Sequence, residues 1–189
     1  MDRFRTISYL KSGNEIQRRA YEALTELKLF RDLAEYTPVL CGTVPIAIDV
    51  AGSDLDIILE AHDFARYMDE IKRRYGNLEG FRIKERTVKG VPTVIANFRF
   101  RSFDFELFAQ PVPVEEQDAY RHMLIEHYVL ETHPHMRPEI IRLKEAGWKT
   151  EPAFARVLGL TGDPYDELLA YGVRMGIVPS AGGVGEKPR

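Results

Sequence analysis

Three short strand-like segments joined by two tight turns constrain the fold most strongly. Phe81 to Val88 alternates apolar and basic residues, Lys89-Gly90-Val91-Pro92 forms a turn, and Thr93 to Phe100 returns. Arg101-Ser102 is a second tight turn before the segment Phe103 to Ala109. Alternation with a period of two directs one set of side chains into a core and the other set to the opposite face. The pattern therefore predicts a sheet in this part of the chain.

Helical and further strand patterns surround these three segments. Apolar residues at helical spacing predict a first helix from about Asn14 to Glu35, for which Ser12 or Asn14 can serve as the cap. Short strands are predicted at Val39 to Cys41 and Asp54 to Glu60, with a helix from His62 to Tyr75. After the proline-rich link Pro111-Val112-Pro113, every segment has a helical pattern: Glu115 to Glu131, Pro138 to Ala146, Pro152 to Leu158 and Asp166 to Tyr171.

We therefore expect three regions: an α/β core over 1–110, a helical region over 111–178, and a disordered tail over 179–189 that is rich in Gly and Pro. With 189 residues and 44% hydrophobic content, the chain can bury a core, and its net charge of -3 does not indicate a generic basic nucleic-acid binder. Cys41 is the single cysteine, so no intrachain disulfide forms. No segment resembles a signal peptide or a membrane helix, and we expect a cytoplasmic protein.

Two pairs of acidic residues occupy alternate positions on separate predicted strands. Asp54 and Asp56 share one face of their strand, and Asp104 and Glu106 share one face of theirs. If the two strands are neighbours, three or four carboxylates converge, and such a group favours a hard divalent cation such as Mg²⁺. The alternative is that each pair is the water-facing side of an ordinary amphipathic strand.

A Gly-Thr dipeptide, Gly42-Thr43, which we call the glycine step, lies between the first short strand and the first acidic pair. Gly42 ends the strand, and Thr43 follows it. A residue without a side chain lets a phosphate approach the backbone, while the Thr43 hydroxyl and the N–H groups of the loop can donate hydrogen bonds to it.

The run of Gly42, Thr43, Ser53, Asp54 and Asp56 resembles the signature of the nucleotidyltransferase superfamily, which has the DNA polymerase β-like fold. That signature places an Asp-x-Asp pair about ten residues after the glycine step and a third carboxylate on a later strand. The resemblance implies an α+β protein in which helices flank a small mixed sheet and a C-terminal helical region follows.

Two features of this sequence differ from the superfamily pattern. Ala47 stands where small members usually have a second glycine, and no basic residue lies between Thr43 and Ser53. These differences favour an alternative in which the fold is a non-catalytic nucleotide-binding or interaction module.

A second resemblance, to an uncharacterised bacterial family in the nucleotidyltransferase superfamily, covers almost the whole chain. It rests on four segments: Gly42 to Pro45, Phe105 to Phe108, Gln117 to Met123, and Lys149 to Phe154. In that family the third carboxylate corresponds to Glu106, which we favour over Asp104 for this reason.

The superfamily resemblance implies metal-dependent transfer of a nucleoside monophosphate from a nucleoside triphosphate to an acceptor hydroxyl. The acceptor is a small molecule, a protein or an RNA, and the oligomeric state stays open. The implied ligands of Mg²⁺ or Mn²⁺ are Asp54, Asp56 and Glu106, with Asp104 as a further candidate. The implied nucleotide-binding residues are Gly42, Thr43 and Ser53, joined by Tyr120, Arg121 and His122 from the helix predicted at Glu115.

Several of these residues have a simpler interpretation. His122 and Glu126 are four apart on a helix, which is also typical of a surface pair. A positive stripe of Arg82, Lys84 and Arg86, with Arg99 and Arg101 nearby, contacts an RNA or a triphosphate, or it is the solvated face of a sheet.

Overall fold

The structure is a computed structural model that describes residues 2–180. The chain divides into two compact units, Met1–Tyr120 and Arg121–Arg189. The first unit contains a five-stranded mixed sheet with helices, and the second is helical. The predicted α+β class is therefore confirmed. Most of the predicted tail, residues 181–189, lies outside the described residues.

The described chain contains seven α-helices, five strands and several short 3-10 turns. The first unit has the helices α1 (Glu15–Glu26), α2 (Leu29–Asp32) and α3 (Phe64–Tyr75). Its strands are β1 (Val39–Cys41), β2 (Leu55–Glu60), β3 (Glu79–Val88), β4 (Val91–Phe100) and β5 (Phe103–Gln110). The remaining helices are α4 (Asp118–Thr132), α5 (Arg137–Glu145), α6 (Thr150–Leu158) and α7 (Pro164–Arg174).

The sheet has the strand order β1-β2-β5-β4-β3. Strand β5 pairs in parallel with β2 and antiparallel with β4, while β1–β2 and β3–β4 are also antiparallel pairs. The chain therefore leaves β2, forms α3 and the β3–β4 hairpin, and returns through β5 to the centre of the sheet. This crossover brings the two acidic strands side by side.

One face of the sheet is the core of the first unit. Buried side chains at alternate positions of β2, β4 and β5 pack with the apolar sides of α1 and α3. Aromatic stacking continues through this layer, since Phe98 lies between Tyr75 and Phe105 with centroids 5.0 Å apart on both sides. Because successive side chains of a strand alternate in direction, the other face of the same strands carries the polar residues.

Two predicted helices begin or end elsewhere in the structure. The first helix does not continue to Glu35: α1 ends at Glu26, and Lys28 adopts a left-handed conformation with φ 56. The helix predicted from Glu115 begins at Asp118, because Gln117 is extended. The Gln117 side chain holds the link in this form by donating from Nε2 to the carbonyls of Leu59 (2.9 Å) and Val112 (3.0 Å).

The C-terminal unit packs its helices closely. A Cβ atom at Gly172 of α7 would lie 2.3 Å from Cδ1 of Ile125 of α4, so these two helices approach at a position where only glycine fits. Asp163 caps α7 by accepting hydrogen bonds from the N–H groups of Tyr165 and Asp166. In residues 2–180, every helix is too short or too polar to span a bilayer.

Candidate functional site

A row of polar side chains crosses the sheet on the face opposite the core of the first unit. Asp56 of β2 pairs with Glu106 of β5, Glu106 with Asn97 of β4, and Asn97 with Arg82 of β3. Side chains directly opposite each other on neighbouring strands project from the same face. The row is therefore acidic at the centre of the sheet and basic at its β3 edge.

Two carboxylates are neighbours in this row. Asp56 and Glu106 are both half-buried and occupy facing positions on adjacent parallel strands, which lie about 4.8 Å apart. The Asn97 amide donates from Nδ2 to Oε2 of Glu106 at 3.2 Å, which fixes one oxygen of that carboxylate. Two carboxylates at this separation repel each other unless a positive charge lies near them.

The other two acidic residues differ in their surroundings. Asp54 directly precedes β2 and is exposed, two positions before Asp56. Asp104 is exposed and forms a two-point ion pair with Arg99, with Nε–Oδ1 at 3.0 Å and Nη2–Oδ2 at 3.1 Å. Arg99 thereby neutralises the charge of Asp104. Both aspartates line an open cavity of about 530 Å³, together with Asn97 and the start of β3.

Gly42 of the glycine step lies directly against the carboxylate of Asp56. Gly42 has φ +78, and a Cβ atom added there would lie 2.4 Å from Oδ2 of Asp56. A larger residue at position 42 would displace that carboxylate and would also strain the backbone. The glycine is therefore explained by local structure, because the end of β1 lies directly against the start of β2.

The loop that follows closes on itself. Thr43 and Ser53, at its two ends, are joined by a long hydrogen bond of 3.4 Å between their hydroxyl oxygens. The Ser53 hydroxyl also accepts a hydrogen bond from the N–H of Val50 at 2.9 Å. These contacts hold both hydroxyl-bearing residues beside the glycine step.

Gln17 anchors this loop, a role that the sequence interpretation missed. Its side chain is buried and donates from Nε2 to the carbonyls of Val44 (2.9 Å) and Pro45 (3.2 Å). Its Oε1 accepts from the N–H of Asn14 at 3.0 Å, while Asn14 caps α1 in return. The spacing of Asn14 and Gln17 is a capping-box signal in the sequence, but that signal does not reveal the contact with the loop.

Tyr120, Arg121 and His122 are all buried. In the first unit, the Arg5 guanidinium lies 5.9 Å from the centroid of the Tyr120 ring. In the C-terminal unit, Arg121 donates from Nη2 to the carbonyl of Pro179 at 2.9 Å, and His122 Nε2 lies 3.0 Å from the Tyr165 carbonyl. The predicted contact of these three side chains with a nucleotide stays a prediction.

The alternative of a surface pair between His122 and Glu126 is wrong. Both side chains are buried, at 4% and 3% exposure, because this side of α4 packs inside the C-terminal unit. His122 Nδ1 lies 3.6 Å from Oε1 of Glu151 of α6. Burial, and then the charge of Glu151, raises the pKa of Glu126 well above its ordinary value, while Lys144 opposes the shift.

The ligand types around Asp56 and Glu106 fit a hard divalent cation. Carboxylate oxygens are the donors that Mg²⁺ and Mn²⁺ prefer. Within residues 2–180, no group of three or more His, Cys, Asp or Glu side chains is arranged to hold a metal ion. Two neighbouring carboxylates suit Mg²⁺ in particular, because it is usually bound by one or two carboxylates together with substrate phosphates and water.

Comparison with known proteins identifies a family and a fold. The sequence profile of the family described as "Domain of unknown function (DUF4269)" matches residues 22–171. A search of the curated proteins finds no significant match.

Three solved structures illustrate the likeness in fold. The GLD-2/RNP-8 complex is 17% identical with a TM-score of 0.53, and the alignment covers 77% of this chain and 57% of that one. A crystal structure of Cid1 poly(U) polymerase is 14% identical with a TM-score of 0.53, covering 84% and 54%. A Cid1 structure with MgGTP bound is 17% identical with a TM-score of 0.51, covering 75% and 48%. The chain thus has the nucleotidyltransferase fold and spans about half the length of these proteins.

Proposed function

This chain belongs to the DUF4269 family of unknown function, and we propose that it uses its nucleotidyltransferase fold to move a nucleoside monophosphate from a nucleoside triphosphate to an acceptor hydroxyl. The observation that carries this proposal is the pairing of Asp56 with Glu106 beside the bare backbone of Gly42. It supplies two carboxylates for a cation, which nucleotidyl transfer needs, and Gly42 leaves the Asp56 carboxylate in its place.

Asp56 and Glu106 would hold Mg²⁺ or Mn²⁺ in this proposal, and Asp54, which is exposed two positions before Asp56, would be the further ligand. When bound, the cation would neutralise phosphate charge and lower the pKa of the acceptor hydroxyl. Asp104 is the less suitable third ligand, because its carboxylate is already paired with Arg99 at both oxygens. The MgGTP in the Cid1 structure is consistent with this assignment.

Gly42, Thr43 and Ser53 would bind the phosphates. Gly42 would contribute its backbone, and the hydroxyls of Thr43 and Ser53 beside it can donate hydrogen bonds. Gln17 would act as a positioning residue, since it ties the loop to α1 through the carbonyls of Val44 and Pro45. The loop between Thr43 and Ser53 contains no Lys or Arg, so cationic charge has to come from elsewhere.

The reaction exchanges one phosphorus–oxygen bond for another. The acceptor oxygen attacks the α-phosphorus and forms the new bond, while the bond to the β-phosphate oxygen breaks and pyrophosphate leaves. The proton of the acceptor hydroxyl passes to Glu106, whose orientation is held by Asn97, and then to solvent. Positioning of the reactants and neutralisation of charge account for most of the rate in such a reaction.

The proposal is tested by incubating the protein with each α-labelled nucleoside triphosphate, Mg²⁺ or Mn²⁺, and cell extract. We expect pyrophosphate release and label transfer that Asp56→Asn lowers by about a hundredfold or more. Asp104→Asn is the matched control, because it removes a carboxylate that is paired with Arg99, and it should retain most of the activity. Nucleotide binding without pyrophosphate release would contradict the proposal and support the non-catalytic module instead.

A further inference from the structure

Strand β3 presents a line of three basic side chains on the polar sheet face. Arg82, Lys84 and Arg86 are all exposed. Their partners on β4 are Asn97, Ile95 and Thr93, none of which is charged. Among residues 2–180, none of the three basic side chains has an ion-pair partner, and we call them the β3 basic line.

Two nearby arginines of the same unit have their charge neutralised. Arg99 of β4 is paired with Asp104, and Arg101 in the next turn is paired with Glu22 and Glu26. The β3 basic line lies on the edge strand of the sheet, at the end of the order β1-β2-β5-β4-β3. Its charge is therefore available to a partner, even though the net charge of the chain is -3.

A cavity lies at the Arg82 end of this line, beside Asn97 of the polar row. A bulge between Glu79 and Arg82 displaces the start of β3, with Gly80 in a left-handed conformation at φ +67. The resulting cavity of about 530 Å³ is lined by Arg82, Asn97 and Asp54. This volume is typical of a pocket for one small ligand, the size class to which a single nucleotide belongs.

We propose that the β3 basic line binds the phosphate backbone of a single-stranded nucleic acid whose terminal nucleotide enters this cavity. Alternate residues of a β-strand are about 6.7 Å apart, so the three cations of the β3 basic line span about 13 Å. This spacing is close to the distance between successive phosphates of an extended nucleic-acid strand. The line ends at Arg82, beside the cavity. The inference rests on the proposed function insofar as it identifies the bound strand as the acceptor.

The test is strand binding without nucleotide and with the divalent cations chelated. Fluorescence anisotropy is measured with labelled single-stranded RNA and DNA of about 15 nucleotides, over a range of salt concentrations. The variant is the triple change Arg82→Gln, Lys84→Gln and Arg86→Gln. The matched control removes three exposed positive charges elsewhere, in the triple change Lys72→Gln, Arg156→Gln and Arg174→Gln.

We expect the unmodified protein to bind single strands more weakly as salt rises. Each phosphate contact with a single strand contributes about 0.7 to the slope of log affinity against log salt, so the β3 triple variant should reduce the magnitude of the slope by about 2. At about 0.1 M salt its affinity should be at least about tenfold lower, and a duplex of the same sequence should bind less well. The control variant should keep both the slope and the affinity.

Three results would overturn the inference: no strand binding, equal losses in both triple variants, or loss of nucleoside triphosphate affinity with unchanged strand binding. The last result would identify a triphosphate site instead. Because the assay contains no nucleotide or free metal, its outcome is independent of transfer. If the protein does not bind single strands but releases pyrophosphate while labelling another acceptor, the proposed function stands and this inference fails. If the protein binds single strands but transfers no label, only the proposed function is contradicted. Thermal unfolding verifies that both variants are folded.

Discussion

Replacing Gly42 by alanine tests the close approach of Gly42 to the Asp56 carboxylate. The added Cβ atom would lie 2.4 Å from Oδ2 of Asp56, whereas ordinary contacts begin at 3.4 Å. The carboxylate must therefore move by about 1 Å, and a misplacement of about 1 Å can lower the rate of an enzyme by about a hundredfold. The left-handed backbone at φ +78 adds a cost in folding free energy of about 1–2 kcal/mol.

Gly90→Ala provides the matched control. Gly90 has φ +82 in the β3–β4 turn, and no atom lies within 4 Å of the position of an added Cβ. The two variants should therefore lose about the same unfolding free energy in urea, about 1–2 kcal/mol each. Only Gly42→Ala should also lose about a hundredfold in pyrophosphate release. Similar activity in the two variants would refute the view that Gly42 is needed to leave Asp56 in place.

Three further changes test other contacts. Gln17→Glu keeps the acceptor for the N–H of Asn14 but loses the amide donor to the carbonyls of Val44 and Pro45. We therefore expect the unfolding free energy in urea to fall by about 1–3 kcal/mol. An unchanged unfolding free energy would contradict the anchoring role of Gln17. The pKa of Glu126 is raised in the folded state, so the folded protein keeps the carboxyl proton of Glu126 to a higher pH than the unfolded chain does. The stability that the protonated Glu126 contributes is therefore fully present below the ordinary pKa of 4.5 and is lost as the pH rises through the raised pKa. Glu126→Gln should therefore be more stable than the unmodified protein at about pH 8, as measured by urea unfolding at several pH values. Mn²⁺ should raise the melting temperature of the unmodified protein but not of Asp56→Asn, and an equal rise in both would contradict the metal site.

Local patterns were sufficient to predict the strands and the faces of their acidic residues. Alternation with a period of two correctly placed Asp56 and Glu106 on polar strand faces, and the turns at Gly90 and Ser102 separated β3, β4 and β5. The position of β5 beside β2 depends on pairing between segments about fifty residues apart, which no local pattern determines. The sequence alone therefore left open whether the two acidic pairs meet.

Other features depend on contacts that have no sequence signal. The break in the first helix at Lys28 is a change of backbone conformation, and apolar periodicity does not report it. The pairing of Asp104 with Arg99 is a cross-strand contact that distinguishes Asp104 from Glu106, two acidic residues with the same local pattern. The contact of Gln17 with the loop joins residues 27 positions apart.

Anomalous diffraction from crystals grown with Mn²⁺ and a non-hydrolysable nucleoside triphosphate would locate the cation. We expect an anomalous peak about 2.0–2.2 Å from carboxylate oxygens of Asp56 and Glu106, with the triphosphate against the backbone of Gly42. A nucleotide bound elsewhere, with no anomalous peak beside these two carboxylates, would contradict this expectation.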